Sequence, residues 1–269
     1  MPADLVPDDL WERLAPLLPP APEQRRRHPG RLRVPDRAAL ADVMYVLRTG
    51  VAWRDVPAET VGCSGVTAWR RLRDWTAAGV WPRLHAVLLH ELRRAGLVDL
   101  DDCAVDGSRV RALGRGDRVG PPPVDRPRPG SKHHLIVDCH GTPLGVTLTG
   151  GNRHDVTQLL PLLDAVPPIR GLRGRPGRKP RRVYADRGYD FDKYRRQPWK
   201  SGIKPMIARR GVAHGSGLGK VRWVVERAFA WLHQFKRLRI RYKRRADLHQ
   251  RLLELACSLI CIRRLRTSF

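Results

Sequence analysis

The stretch HHLIVDCHGTPLGVTLTGGN, residues 133–152, decides the class of fold. Two alternating apolar runs flank His140–Gly141, the pattern of a β-hairpin closed by a tight turn. Upstream, Asp101–Asp106 (DDCAVD) reads as a short strand ending on an aspartate. Downstream, Asp155 with Gln158 has the spacing of a capping box ahead of an apolar run at Val156–Val166. Strands follow at Val183–Asp186 and Ile203–Ala208, then a long helix over Lys220–Lys236 and a last one over Leu248–Arg264. Strands that alternate with helices after an antiparallel hairpin predict an α/β fold with a mixed sheet flanked by helices.

The first hundred residues have the helical period instead. Leu10, Leu14, Leu17 and Leu18 form one stripe, and Leu40, Val43, Met44 and Leu47 another, which ends near Gly50. Ser64 can cap a third helix, with Trp69, Leu72 and Trp75 inward and Arg70, Arg71 and Arg73 outward. A fourth helix runs from Pro82 to Ala95 and stops at Gly96. This predicts a helical unit over 1–98 ahead of a catalytic unit over 99–269. Residues 19–35, 111–131 and 167–182, rich in Pro, Gly and Arg, read as loops and linkers.

Three carboxylates carry the chemistry. Asp106 and Asp186 each end a β run, and side chains at strand ends of α/β sheets leave the packed layer and can converge. Glu226 lies in VRWVVERAFAWLHQFKRL, where Val221, Val225, Phe229 and Leu232 form the apolar stripe and Arg222, Glu226 and His233 share another face. Hard oxygen donors of this kind suit two Mg²⁺ or Mn²⁺ ions, which stabilise the attacking and leaving oxygens of a phosphoryl transfer. An aspartate after a strand also serves as a turn residue, and Arg222 with Glu226 also reads as a surface i, i+4 pair. Asp138, Asp155, Asp190 and Asp192 compete for the same role; Asp138 reads as a turn residue, Asp155 as a helix cap and Asp190 as local to its loop.

The charge narrows the partner. In 269 residues, Lys+Arg 52 against Asp+Glu 26 leaves a net charge of +26. So basic a chain repels itself unless it meets a polyanion, and nucleic acid is the expected one. Its preference for Arg over Lys also fits GC-rich coding. Five scattered cysteines without a CxxC pair argue against a disulfide framework or a zinc site. No apolar run approaches a membrane span, and the first residues do not resemble a signal peptide. The expected location is cytoplasmic, on the nucleoid.

The ordered set DDLWERLAPLLPP, PDRAALADVMYVLRTGVAWRDVP, TAWRRLRDWTAAGVW, VDGSRVRA, SKHHLIVDCHGTPLGVTLTGGNRHD, YADRGYD and RWVVERAFAWLHQFKRLRIRY resembles the DDE transposases of bacterial insertion sequences, of the short IS-five type. The resemblance spans almost the whole chain and implies a ribonuclease-H-like core. It places the catalytic and metal-binding triad on Asp106, Asp186 and Glu226. It implies that the N-terminal helices bind the element's terminal inverted repeats, that the ends are cleaved and joined to target DNA, and that a homodimer holds the ends. Around the glutamate the family shows Tyr, Arg, Glu and Lys; here Gly219, Arg222, Glu226 and His233 stand there.

For DNA contacts, the helix over Val66–Thr76 is the recognition candidate through Arg70, Arg71 and Arg73, since arginine reads guanine with two hydrogen bonds. Arg222, His233 and Lys236, the basic loops and the segment from Lys236 to Arg245 are expected to touch phosphate. The rival reading is a non-catalytic or decayed sequence-specific DNA-binding protein, repressor-like in function.

Overall fold

The computed structural model describes residues 5–21, 32–122, 128–212 and 219–267. Parts of the loops expected at 19–35 and 111–131 lie outside the described residues. The helical part holds α1 (Asp8–Leu14), α2 (Asp36–Thr49), α3 (Ala58–Val61), α4 (Gly65–Ala77) and α5 (Val80–Arg94). Gly50 ends α2 in the left-handed conformation (φ 78°), where a side chain would be strained. Ser64 caps α4 by accepting the Thr67 N–H.

The second part begins with β1 (Asp102–Ala112), β2 (Gly130–Asp138), β3 (Pro143–Gly150) and α6 (Leu159–Ala165). β4 (Arg182–Ala185), α7 (Asp192–Lys200), β5 (Lys204–Ile207), α8 (Gly219–His233), α9 (Lys236–Arg239), β6 (Ile240–Arg241) and α10 (Ala246–Arg266) follow. The sheet order is β3-β2-β1-β4-β5, with β6 beside β1. β2 is antiparallel to β1 and β3, whereas β4 and β6 run parallel to β1, and β5 to β4. An antiparallel meander followed by parallel strands in the order 3-2-1-4-5 is the ribonuclease-H-like arrangement. Asp138 closes the hairpin by accepting the N–H groups of His140 (3.0 Å) and Thr142 (2.7 Å).

Three details differ from expectation. β1 does not end at Asp106: it runs 11 residues, because Gly107–Arg111 pair with β2 over Gly130–His134. Asp155 is no helix cap. It opens a short 3-10 turn, Asp155–Gln158, without capping it, and its carboxylate pairs with Lys132 at 2.9 Å instead. The segment 167–182 carries a β-bridge between Ile169 and Gly177.

One continuous apolar core joins the two parts. α10 is buried nearly all round, as expected of a helix apolar on every side, and packs against α5, β3 and α8. Cys257 and Cys261 are free thiols inside it. Polar contacts cross the same seam. His85 on α5 donates to the Pro143 carbonyl (2.8 Å), and Arg237 donates to the carbonyls of Gly50 and Val51 (both 3.1 Å). Lys243 lies over the rings of Trp53 (4.7 Å) and Trp69 (5.8 Å), where burial lowers its pKa to about 7. No helix among the described residues is long and apolar enough to cross a membrane.

Candidate active site

Asp106 owes its position to a gap in the sheet. One edge of β1 is paired with β2 throughout. On the other edge β4 pairs only with Asp102–Ala104, and β6 only with Arg111–Ala112. Between them that edge is uncovered among the described residues, and Asp106 stands in the opening. The register Cys103↔Val183 and Ala104↔Tyr184, carried two residues further, brings Asp186 level with Asp106. Asp186 starts a 3-10 turn over Arg187–Tyr189 and accepts the Gly188 N–H at 2.8 Å.

The Asp106 carboxylate accepts the Gly107 N–H (2.8 Å) on one oxygen and Arg222 (3.2 Å) on the other. Burial raises its pKa, the neighbouring Asp186 charge adds to the rise, and the Gly107 N–H and Arg222 oppose it. Glu226, one turn beyond Arg222 on α8, lies 4.0 Å from the same guanidinium nitrogen, and its side chain is 67% exposed. The structure thus brings Asp106 and Asp186 together and links Glu226 to them through Arg222.

Three residues that sequence reasoning did not place here border the site. A Cβ at Gly107 would stand 2.9 Å from Asp155 Oδ1 and 3.1 Å from His134 Nδ1, so a larger residue there would have to displace the Asp155 carboxylate. His134 is buried, with its pKa lowered to about 4, and is therefore neutral at pH 7. Tyr189, one turn after Asp186, is 1% exposed and its hydroxyl has no hydrogen-bond partner among the described residues. The motif YADRGYD contains Tyr189, but spacing alone does not show where its ring goes.

The expected DNA contacts divide. Arg70 is exposed on α4. Arg73 is exposed too, but donates to Asp74 (2.9 Å). Arg71 does not face outward: its side chain is 14% exposed, lies 3.0 Å from Asp36, and ties α4 to the start of α2. Arg222 is engaged with Asp106, and Lys236 is exposed at the start of α9. His233 is half-buried against Phe229, and burial, helped by Arg239, lowers its pKa. The shift favours the neutral ring, which offers phosphate at most one N–H.

For a divalent cation the donors are right in kind, since the paired Asp106 and Asp186 present only hard oxygens and share a repulsion that a cation removes. Among the described residues no group of three or more His, Cys, Asp or Glu side chains stands close enough to hold an ion. Completing a three-carboxylate set would require Arg222 to turn aside and Glu226 to turn inward.

The chain matches the family model described as "Transposase DDE domain" over residues 99–261, more than half its length. A second model, named for transposases of the IS4/5 family, matches residues 6–85. A Burkholderia cepacia protein named as the transposase of insertion sequence element IS402 is 63% identical over 149 residues, 55% of this chain and 71% of that one. An uncharacterised 16.2 kDa protein of the same element is 54% identical over 124 residues, 45% of this chain and 84% of that one. The Mos1 strand transfer complex aligns over 92% of this chain and 81% of that one with TM-score 0.32 and 12% identity, too distant to add to the topology itself. Enzymes with this domain are polynucleotidyl transferases that generally use divalent metal ions. On the first of these matches and on the IS402 relative, the chain belongs to the DDE transposases of insertion sequences.

Proposed function

We propose that this transposase binds the terminal inverted repeats of its element, cleaves the ends and joins them to target DNA, with Asp106, Asp186 and Glu226 as the catalytic carboxylates. The observation that carries the reading is the pairing of Asp106 with Asp186 in the uncovered stretch of β1. A duplex strand can approach there, because no strand of the sheet closes that side.

Two Mg²⁺ or Mn²⁺ ions held by the triad would neutralise the charge that builds up on the phosphate undergoing transfer. The chain's own groups do the rest. Arg222 releases Asp106 and turns its guanidinium to a phosphate oxygen, for which its planar fork is suited. Asp106 and Asp186, fixed by the backbone N–H groups of Gly107 and Gly188, keep their orientation while it moves. Glu226, exposed on α8, closes over the strand once Arg222 has left.

The two family models, matching 6–85 and 99–261, support a division of labour in which residues 1–98 recognise the ends and residues 99–269 cut them. Arg70 and Arg73 on α4 are the exposed candidates for base contact. Two copies of the chain, one on each end, act on DNA of the nucleoid. The test is strand cleavage of a duplex carrying the element's end, with and without EDTA, by wild type and Asp106→Asn. Cleavage that survives EDTA or the substitution would exclude the reading, and binding without cleavage under any metal would favour the repressor-like alternative.

A further inference from the structure

Next to Glu226, α8 carries a second arginine that the carboxylate gap does not explain. Arg227 faces the β2–β3 turn, where its Nη2 donates to the His140 carbonyl at 2.6 Å. Arg264 of α10 donates to the same carbonyl at 3.2 Å. Arg263 stands beside it, and the three guanidiniums share the wall of a cavity of about 300 Å³ with Trp231 and Ile260. The Arg227 guanidinium lies over two indoles, Trp223 at 4.2 Å and Trp231 at 4.9 Å, which hold it in place. Its Nε is buried without a hydrogen-bond partner among the described residues. Arg227 is bonded to a carbonyl and Arg263 to the Gln234 amide oxygen (3.2 Å), and neither forms an ion pair among the described residues. Asp138, the acid of that turn, is buried, and its oxygens accept the backbone N–H groups of Asp99, His140 and Thr142.

Three like charges around one cavity repel each other, and an anion between them removes that repulsion. Two sources of anion compete. A second copy of the chain would bring +26 against +26, which opposes a carboxylate from that source. DNA brings phosphates that match the planar guanidinium fork, and beside each phosphate a sugar whose apolar face suits Trp231. We propose that Arg227, Arg263 and Arg264 form a site for a DNA backbone phosphate, separate from the carboxylate gap and indifferent to base sequence. Glu226 and Arg227 are successive on a helix about 10 Å across. A strand advancing about 3.4 Å per nucleotide covers that width in about three nucleotides. The site therefore holds the course of the strand close to the phosphate that reacts. This last placement rests on the assignment of Glu226 to the triad; phosphate binding itself does not.

The test is duplex affinity over a series of salt concentrations without metal, so that catalysis does not enter. Arg227→Gln should weaken binding about tenfold, the scale of losing a hydrogen bond to a charged group. The loss should be alike for terminal-repeat and random duplex, and the slope of log affinity against log salt should fall by about one. Arg263 is exposed, so Arg263→Gln leaves the fold intact and should lower the slope by a similar amount. Arg94→Gln removes the same charge from the exposed end of α5 and should leave the slope near wild type. Wild-type slopes in both Arg227→Gln and Arg263→Gln would overturn the proposal, and so would an equal fall in Arg94→Gln. A loss confined to terminal-repeat duplex would make these arginines base readers instead. A melting temperature raised by dAMP in wild type and not in Arg227→Gln, with duplex slopes unchanged, would assign the site to a free nucleotide. A changed sedimentation mass of Arg227→Gln with unchanged duplex affinity would assign it to a second copy; either result overturns the DNA assignment. Normal cleavage by Asp106→Asn would sink the triad and leave these slopes untouched.

Discussion

Around α4, carboxylates are spent on holding arginines; at the gap in the sheet, one arginine is spent on holding carboxylates. Asp36 takes both Arg33 (2.9 Å) and Arg71 (3.0 Å), and Asp74 takes Arg73. At the sheet, Asp106 and Asp186 lie near one another, and Arg222 is bonded to the first. In a chain with twice as many basic as acidic residues, these two neighbouring acids have one bonded arginine between them among the described residues. The contrast separates scaffold from site: a charge matched within the fold fixes geometry, whereas one left short of partners is open to a ligand.

The strongest break of this contrast would come from the acids of the gap. Asp106→Asn and Asp186→Asn should each lower strand cleavage by about a hundredfold or more, on the scale of removing one charge-stabilising group. Affinity for the duplex should hold. Glu226→Gln is the sharper case because that side chain is 67% exposed; cleavage at wild-type rate would remove it from the triad.

The two regions share a core, so they should also melt together. Leu88 on α5 is fully buried, and Leu88→Ala should cost about 2–5 kcal/mol. Calorimetry should show a single transition moved down as a whole. Two separate transitions would mean that the helical part and the sheet are held apart more than the buried α10 implies.

Acid should loosen the seam. Burial pushes the pKa of His85 from 6.5 to about 4, although its bond to the Pro143 carbonyl favours the charged form. The unfolded residue takes up a proton near pH 6.5 and the folded one only near 4. Its contribution to stability is therefore complete above pH 6.5 and is lost as pH falls through about 4. The loss is about 3 kcal/mol over that window. His85→Gln should flatten the dependence of melting temperature on pH between 6.5 and 4. A slope identical to wild type would place the sensitivity in His133, His134 and His249, whose pKa values are also depressed.

The smallest effects distinguish neighbouring arginines on α4. Arg70→Ala should weaken preference for the terminal repeat over random duplex by about 1–3 kcal/mol if it reads a base. Arg71→Ala should leave the preference intact and lower stability by about 1 kcal/mol, the worth of a partly exposed ion pair. Loss of preference from Arg71→Ala would show that the pair with Asp36 opens on DNA.

These neighbours also show what spacing along the chain does and does not reveal. The helices were readable because their apolar positions recur every turn. Arg71 was misjudged because helical geometry gives the direction of a side chain but not the carboxylate waiting there on another element. The short strand expected over Asp101–Asp106 and the loop expected from 111 leave Gly107–Val110 unassigned, and β1 extends through them because β2 pairs with it. Asp155 has the local spacing of a cap, and the ion pair with Lys132 on β2 outweighed it. Asp106 and Asp186 were found for a reason that holds for only one of them. Asp186 follows the end of its strand, whereas Asp106 is mid-strand and reachable because its neighbours stop short.

The burial of α10 has a consequence for synthesis. The ribosome releases α5 first, then the whole sheet, and only afterwards the helix on which α5 rests. At bacterial elongation rates the interval is on the order of ten seconds. During that time the face of α5 that α10 covers lacks its native partner, and the part of the chain expected to find the element's ends is not yet finished. Premature termination within the sheet would therefore release an exposed apolar helix, a substrate for chaperones and proteases rather than a stable competitor for the same DNA.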